Sequence, residues 1–383
     1  PHPTFFPEVL KNPAVDFIIR GEAEQSLYQL VMALRNKSGL ENVPGLGYKQ
    51  NGEIKYNQQA RLLENLDQIP FPDRQLYLRY GFFRRLSMRR VIASRGCPFN
   101  CRYCFNAPAK EFYYGKGKYV RQRSPENIIT ELKELKPITR TINFVDDSFG
   151  LSRDSALEML AQYENEVHLP FIINLRPEQV DEKLAKALAK AGCYCAQIGI
   201  ESGNDQLREN VLGRKISKEQ IRAAAHYLKE SGIWILSYNM LGIPGETLEN
   251  GFETICLNRE LKIDFPRFSI FQPYPGTELG EEIVKKGLAQ RHDLLENLSP
   301  SYFHKSPLNL PGIKNLENLQ KFFLPAIKFP SLESAIKSLV KLPKNPIFDL
   351  LFLSTIALQY KKAINLSTAE TLEYGLKNLS LYF

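Results

Sequence analysis

The fold class is decided by the stretch PFIINLRPEQVDEKLAKALAKAGCYCAQIGIESG, from Pro170 to Gly203. An apolar run is followed by the helical pattern DEKLAKALAKAG, whose Gly192 is typical of a helix C-terminus. A second apolar run, CAQIGIESG, comes directly after that glycine. A strand, a helix and a second strand in this order predict a parallel pair joined by a helical crossover.

The same alternation extends from about Val91 to Gly287 and comprises six strand–helix units. Two helices carry clear start signals, Ser124 before SPENIITELKELK and the Ser217/Gln220 capping box of SKEQIRAAAHYLKESG. The polar residues crowd the carboxyl ends of the predicted strands. The sequence therefore predicts an α/β fold with a partial (β/α)6 barrel whose chemistry lies at those strand ends. An open doubly wound sheet is the alternative.

The flanking regions differ from this repeat. Residues 1–45 contain a strand-like run, VDFIIRG, and a helix, AEQSLYQLVMALRN, as in the C-terminal half of an α/β domain. Residues 46–90 form a linker in which Asn51-Gly52 predicts a hairpin. We place the barrel at residues 91–287 and a C-terminal helical domain at residues 288–383.

Composition narrows the class of protein. The chain has 383 residues and a net charge of +8, which suits an anionic substrate but is spread along the chain. PHPTFFPEVL is no signal peptide, and NPIFDLLFLSTIALQ, interrupted by Asp349, is too short to cross a bilayer. Six cysteines without an export signal predict a reducing cytoplasm, with free thiols or metal ligands.

Three cysteines lie in RGCPFNCRYCFN, at Cys97, Cys101 and Cys104. Structural zinc needs a fourth ligand, and disulfides need pairs. A 4Fe–4S cluster held by three thiolates leaves one iron open to a chelating molecule. The spacing favours the cluster, with a zinc-stabilised nucleic-acid-binding module as the alternative from another class.

This cysteine loop, placed after the first strand of a six-unit α/β chain, resembles the radical S-adenosylmethionine superfamily. The resemblance implies that the open iron chelates S-adenosylmethionine. Reductive cleavage would then give methionine and a 5′-deoxyadenosyl radical that abstracts a hydrogen atom. It also implies an electron donor such as flavodoxin or ferredoxin, a small-molecule substrate and no nucleic acid.

The resemblance carries cofactor positions onto this chain. Tyr103 matches the aromatic position beside adenine. Asp146, Asp147 and Ser148 occupy the place of the family's GGE motif, from which DDS departs. Arg176 is a candidate partner for the S-adenosylmethionine carboxylate, since a guanidinium fits that geometry.

Two later strand ends add further candidates. GIESG places Glu201 and Ser202 where family members contact the ribose and the methionine moiety. NMLGIPGE, with Asn239 and Gly242, matches the motif that lets the backbone approach adenine. No catalytic residue is assigned.

The first region resembles the second half of the cobalamin-binding domain that precedes many radical S-adenosylmethionine proteins. IPFPDR and YGKGKYVRQRSPENII match the same subgroup. The chain contains no D-x-H-x-x-G motif, so cobalamin is implied by resemblance alone. The implied reaction is methyl transfer to an unactivated carbon, where one S-adenosylmethionine methylates cobalt and a second generates the radical.

Other interpretations stay open. The reaction is alternatively a cyclisation or rearrangement, or the chain is a non-catalytic relative. An RNA-modifying methylthiotransferase is disfavoured because no cysteine precedes Cys97. Cys193, Cys195 and Cys256 are expected to be small buried residues, and His2 to lie in a surface turn.

The candidate site residues after the second and third strands also have simpler structural interpretations. Asp146 and Asp147 could cap the next helix through Ser148 or Ser152. Arg176 could be a surface residue before Pro177.

Overall fold

The computed structural model describes residues 4, 7–296, 298–299, 301–303, 305–363, 368 and 370, so the interpretation of His2 lies outside the described residues. The chain begins with a small antiparallel sheet, and its elements are β1 (Phe17–Ile19), α1 (Glu24–Asn36), β2 (Leu46–Gln50) and β3 (Glu53–Tyr56). Positive φ angles at Asn51 and Gly52 make the predicted hairpin turn. β1 pairs with β2, so strands on the two sides of residue 45 share one sheet. The domain limits stay a prediction.

The barrel follows two short helices, α2 (Gln75–Leu78) and α3 (Gly81–Arg85). Its first half contains β4 (Met88–Val91), β5 (Ser94–Arg95), α4 (Asn106–Phe112), β6 (Arg121–Gln122), α5 (Pro125–Leu135), β7 (Thr141–Phe144), α6 (Arg153–Glu166), β8 (Phe171–Leu175) and α7 (Glu182–Ala191). Its second half contains β9 (Cys193–Glu201), α8 (Lys218–Glu230), β10 (Trp234–Leu241), α9 (Leu248–Glu260), β11 (Phe265–Ile270) and α10 (Glu278–Lys285). A short π-helical turn, Leu207–Val211, lies between β9 and α8.

Six of these strands form one sheet with the order β11-β10-β9-β8-β7-β4, and every pair in it is parallel. This confirms the predicted α/β fold with a six-unit partial barrel, because each strand is followed by a helix that returns the chain to the same end of the sheet. The predicted caps are present. Ser124 accepts from the N–H of Asn127, and Ser217 and Gln220 form their capping box.

The first barrel strand differs from its predicted position. The repeat predicted from about Val91 implies a strand that starts there, but β4 ends at Val91, and Ser94–Arg95 pairs antiparallel with Arg121–Gln122 in a separate ribbon. A buried carboxylate accounts for the break. Asp146 accepts hydrogen bonds from the Ser94 hydroxyl and from the N–H of Ala93, which turns the chain away from the sheet.

The C-terminal region is helical, as expected, over its described part. Its helices are α11 (Arg291–Glu296), α12 (Ile313–Lys328), α13 (Glu333–Leu339) and α14 (Pro346–Ala363). Leu241, Phe268 and Ile270 of the sheet share one apolar core with Phe323 and Phe352 of these helices. In the part of the chain that is described, no helix combines the length and apolar character needed to cross a bilayer.

The three remaining cysteines divide into two groups. Cys193 and Cys195 are buried near the start of β9, as predicted. The prediction for Cys256 is wrong, since its side chain is exposed on α9. The neighbours Ile255 and Leu257 take the buried side of that helix turn, which leaves residue 256 facing solvent.

Candidate functional site

The three thiols of the cysteine loop line one cavity at the carboxyl ends of the barrel strands. The cavity measures about 360 Å³, and Cys97, Cys101 and Cys104 share its wall with strand-end residues from β7, β8 and β9. Cys97 and Cys101 are buried, and Cys104 is half-buried. Burial raises the pKa of the Cys97 and Cys104 thiols. Thiolates at these positions therefore need a cationic partner or a metal.

The loop takes its course because one glycine allows a close approach. Gly96 has a φ of +83°, and a Cβ there would lie 2.4 Å from the carbonyl oxygen of Tyr119. Only glycine fits that position without displacing the backbone. The loop then closes with a turn in which the N–H of Cys104 donates to the carbonyl of Cys101 over 3.1 Å.

Arg176 connects the third strand to the cysteine loop. Its Nη1 donates to the Cys101 sulfur over 3.5 Å, and its guanidinium lies 3.6 Å from the centre of the Phe99 ring. Its Nε donates to Glu178 over 2.5 Å. Arg176 is 8 % exposed, so the surface alternative is not what the structure shows. The guanidinium supplies positive charge beside the sulfurs.

Glu201 ends β9 in an unusual conformation. The pairing of β9 with β10 shifts register so that Tyr238 pairs with Gly199 and Asn239 with Glu201. Ile200 is thus the extra residue of a β-bulge, and Glu201 has a φ of +65°. A strained, non-glycine residue at the end of a barrel strand is typical of a functional site.

Glu201 forms a buried ion pair inside the cavity. Arg214 places Nη1 3.2 Å from its Oε1 and donates through Nη2 to the carbonyl of Gly199 over 2.8 Å. Burial raises the pKa of Glu201, and the Arg214 charge and a hydrogen bond from Tyr103 oppose that effect. Arg214 Nε is buried with no hydrogen-bond partner among the described residues, so it is a donor that a polar ligand would satisfy.

The two acidic residues after β7 lie in different environments. Asp146 is buried on Ser94 and Ala93, where burial raises its pKa. Asp147 is exposed and lies at the cavity beside the thiols. Ser148 is buried and donates to Gln179, and Ser152 begins α6 without a side-chain cap. The predicted capping role is therefore not what these side chains perform.

Three candidates from later strand ends are held outside this cavity. Ser202 accepts from the N–H of Asn204, and Asn239 hydrogen-bonds to Ser237 and Asn258. Gly242 donates its N–H to Glu246 and has a φ of +83°. Roles for these three in cofactor binding stay predictions, as they do for Ser148.

The sequence reasoning missed Phe99, Gly199 and Arg214, which line the cavity. Phe99 lies within the cysteine loop, two residues after Cys97, which was an available signal. Gly199 lies two residues before Glu201 on the same strand, so strand alternation placed both on one face. Arg214 had no signal, because a loop of 12 residues separates it from β9.

The donor set fits an iron–sulfur cluster better than a single ion. Within the described ranges, no three or more His, Cys, Asp or Glu side chains are grouped so as to hold one metal ion. A closed structural zinc site needs four ligands, and the cysteine loop offers three. A cluster is held by separate thiolates on different irons, and its potential responds to hydrogen bonds at sulfur. Three thiols around a cavity, with Arg176 donating to one of them, meet that requirement.

Comparisons with known proteins identify the family of the domain that holds this cavity. The family described as the Radical SAM superfamily matches residues 91–255. Over these residues the chain contains a radical S-adenosylmethionine domain, and this family implies a 4Fe–4S cluster and S-adenosylmethionine as cofactors.

Two curated relatives show which proteins the chain is similar to over most of its length. The chain is 34% identical to the uncharacterized methyltransferase PH0819 of Pyrococcus horikoshii, over 75% of this chain and 62% of that protein. It is 26% identical to the anaerobic magnesium-protoporphyrin IX monomethyl ester cyclase of Rubrivivax gelatinosus, over 85% of this chain and 64% of that protein. The chain thus spans less than two thirds of the length of these curated relatives.

A solved structure shows the same fold. The cobalamin-dependent S-adenosylmethionine radical enzyme OxsB, with aqua-cobalamin bound, superposes with a TM-score of 0.64 at 17% identity. The superposition covers 99% of this chain and 62% of that chain, so it includes the regions on both sides of the barrel.

Proposed function

We propose that this chain is the radical S-adenosylmethionine portion of a cobalamin-dependent methyltransferase that methylates an unactivated carbon of a small molecule. The observation that carries the proposal is the convergence of Cys97, Cys101 and Cys104 on one cavity, together with Arg176. The relative named as a methyltransferase supports the reaction type, and the fold shared with a cobalamin-dependent enzyme is consistent with the cofactor.

The bound cofactors would supply the electron, the 5′-deoxyadenosyl radical and the methyl group, and the chain supplies ligation and placement. The three cysteines hold the cluster. Arg176 and Arg214 present guanidinium groups to an anionic ligand, and Glu201 holds Arg214 in place. The half-buried ring of Phe99 lines the cavity beside the cysteines, where it would help to exclude water.

The cobalamin part of the proposal rests on the N-terminal region. β1, α1 and the hairpin β2–β3 pack as one small unit, and Arg121 joins it to the barrel through an ion pair with Glu22. Arg95, directly before the cysteine loop, also pairs with Glu22 and Glu24. We infer that this unit sets the position of a cobalamin domain over the cavity.

Further proposals concern the cellular compartment, the electron donor and the role of the C-terminal domain. All six cysteines are free, which suits a reducing cytoplasm. The cluster would take its electron from a donor such as a flavodoxin or ferredoxin. The domain at residues 288–383 would help to shape the substrate pocket, since its described helices pack against β11.

A cyclisation is the second candidate, favoured by the similarity to a magnesium-protoporphyrin IX monomethyl ester cyclase. The two reactions differ in their products from S-adenosylmethionine. Methyl transfer releases S-adenosylhomocysteine as well as 5′-deoxyadenosine, whereas cyclisation releases only the second.

The test uses the full chain, purified without oxygen and reconstituted with iron and sulfide. We expect about four irons per chain and, after reduction with dithionite, 5′-deoxyadenosine from S-adenosylmethionine. Added hydroxocobalamin should give S-adenosylhomocysteine. Cys97→Ser should abolish all three results, while Cys256→Ser, on the exposed cysteine, should retain them.

Other results would overturn the proposal or favour the second candidate reaction. Zinc in place of iron would overturn the proposal. A loaded cluster that never yields 5′-deoxyadenosine would also overturn it. Release of 5′-deoxyadenosine without S-adenosylhomocysteine, in the presence of bound cobalamin, would favour cyclisation.

A further inference from the structure

A second cavity lies on the inner face of the sheet, beneath the cysteine cavity. It measures about 300 Å³ and is closed on one side by Ile356, Gln359 and Ala363 of α14. Val145, Asn174, Gln197 and Tyr238 line both cavities. A molecule in the second cavity would therefore lie beside a group bound in the first.

This inner cavity is surrounded by one layer of polar residues, with a member from every strand of the sheet. The members are Arg90, Asn143, Asn174, Gln197, Tyr238 and Arg267. Strand register brings them together in pairs, since Arg90 is opposite Asn143, Asn174 opposite Gln197, and Tyr238 opposite Arg267. We call this set the polar layer.

The neighbouring layer on the same face is apolar. Ile172, Cys195, Leu236 and Phe265 each precede a member of the polar layer by two residues, and they form one buried cluster. Since side chains alternate across a strand, both layers face the barrel interior. A barrel core is ordinarily filled by bulky apolar side chains. Polar residues from all six strands around a cavity need another explanation.

Among the described residues that line the inner cavity, the charged side chains are both positive. Arg90 and Arg267 lie at its two edge strands, and none of the described residues that line it is an aspartate or glutamate. Arg90 is exposed, and its guanidinium makes no hydrogen bond or ion pair within the described part of the chain. Arg267 donates to the Tyr302 hydroxyl over 2.9 Å and lies 5.8 Å from the centre of the Tyr238 ring.

Neutral polar atoms at the cavity also lack partners. Asn143 Oδ1 and Gln359 Nε2 are buried without a hydrogen bond among the described residues. Buried amide groups are nearly always hydrogen-bonded in native proteins. An acceptor oxygen and a donor nitrogen beside two arginines would be satisfied by a ligand with both a negative group and a hydroxyl or amine.

We propose that the inner cavity binds the substrate through carboxylate or phosphate groups that pair with Arg90 and Arg267 at the two edges of the sheet. This inference rests on the proposed function, because it makes the bound anion the molecule whose hydrogen is abstracted. Asn143 and Gln359, whose amide atoms lack partners among the described residues, then orient the rest of the substrate toward the cysteine cavity. The substrate class is a small anionic metabolite that carries further polar groups.

The test measures binding to the reconstituted full chain by the rise in its thermal midpoint at constant ionic strength. The probes are succinate, inorganic phosphate and the neutral succinamide. We expect a saturable rise with at least one anion and none with succinamide. The half-saturating concentration should increase about tenfold in Arg90→Gln and in Arg267→Gln. Arg222→Gln, which removes a surface ion pair with Glu260, should leave it unchanged.

Several outcomes would overturn the inference: no saturable rise with either anion, an equal rise with succinamide, or no change in both variants. Arg267 packs on aromatic rings, so iron content and circular dichroism must match the unmutated chain before its result counts. The exposed Arg90 gives an independent answer. Formation of 5′-deoxyadenosine without anion binding overturns this inference alone. Anion binding without 5′-deoxyadenosine overturns the proposed function and leaves only an anion site.

Discussion

Glu246 is a carboxyl group that the fold holds away from water in the GIPGE turn. Its Oε2 accepts from the N–H groups of Gly242 and Ile243 over 2.6 and 3.1 Å, and its Oε1 is buried without a partner among the described residues. Burial raises its pKa from 4.5 to about 8, although the two backbone hydrogen bonds lower it. The folded chain thus holds this proton more tightly than the unfolded chain.

The sign of the pH effect follows from that difference. The stabilising contribution of protonated Glu246 is complete below pH 4.5 and is lost as the pH rises toward 8. We predict that Glu246→Gln is more stable than the unmutated chain at pH 8.5, with an upper limit of about 5 kcal/mol, and similar at pH 4.5. Urea unfolding at several pH values measures this. Glu249→Gln, at an exposed position in the first turn of α9, is the control, and parallel pH profiles for all three chains would contradict the prediction.

For the Glu201–Arg214 pair, we predict that the effects of single and double substitutions on the free energy of unfolding are not additive. Arg214→Met leaves a buried carboxylate without its cation and should destabilise the fold by about 3–5 kcal/mol. The double variant Glu201→Gln/Arg214→Met removes both charges and should recover most of that loss. Thermal unfolding of the reconstituted single and double variants gives the comparison. Additive losses would mean that the two side chains do not interact as the structure shows.

At the scale of elements, one arginine ties the cysteine loop to its neighbours. Arg102 donates to Glu278 over 2.7 Å and pairs with Glu282, both on α10. It also donates to the carbonyl of Asn210 over 3.0 Å in the π-helical turn. The loop between the thiols is therefore held from two sides by a single side chain.

Arg102→Ala should loosen that loop without removing a thiol. We predict that a chelator withdraws iron from the reconstituted variant about tenfold faster, in line with other residues that support metal ligands. The measurement is the loss of cluster absorbance with time under anaerobic conditions. Arg291→Ala removes an exposed pair with Glu281 on the same helix and is the matched control. Equal rates in both variants would show that Arg102 does not hold the loop.

At the scale of the whole molecule, the barrel and the C-terminal helices share one core. Phe268 of β11 stacks on Phe323 of α12 with ring centres 5.0 Å apart. Arg259 of α9 donates to the carbonyl of Ala326 over 2.6 Å. Because the apolar contact is continuous, the two regions should unfold together.

Phe323→Ala tests this coupling. The substitution empties a fully buried site and should cost about 3–5 kcal/mol. We predict that cluster absorbance and far-ultraviolet circular dichroism fall in one transition at a lower urea concentration. Two separated transitions, with the cluster signal unchanged in position, would show that the helices fold independently. Phe329→Ala, at an exposed phenylalanine after the same helix, should have little effect.

The sequence allowed much of the barrel to be predicted because its signals are local. Six apolar runs, each followed by a helical pattern with a cap, determine the order of strands and helices. Chain position also placed the cysteines after the first strand. The break between β4 and β5 was not predicted, since it depends on hydrogen bonds from Ala93 and Ser94 to Asp146, more than 50 residues away.

The sequence by itself thus determined the α/β class, the strand–helix order and the thiols available to a cluster, since each depends on residue type and spacing along a short stretch. Only the tertiary structure decided the Glu201–Arg214 pair and the polar layer. Their members come from distant segments, and strand register, bulges and helix packing bring them together. These are properties of how the elements pair in space, and no local pattern in the chain encodes them.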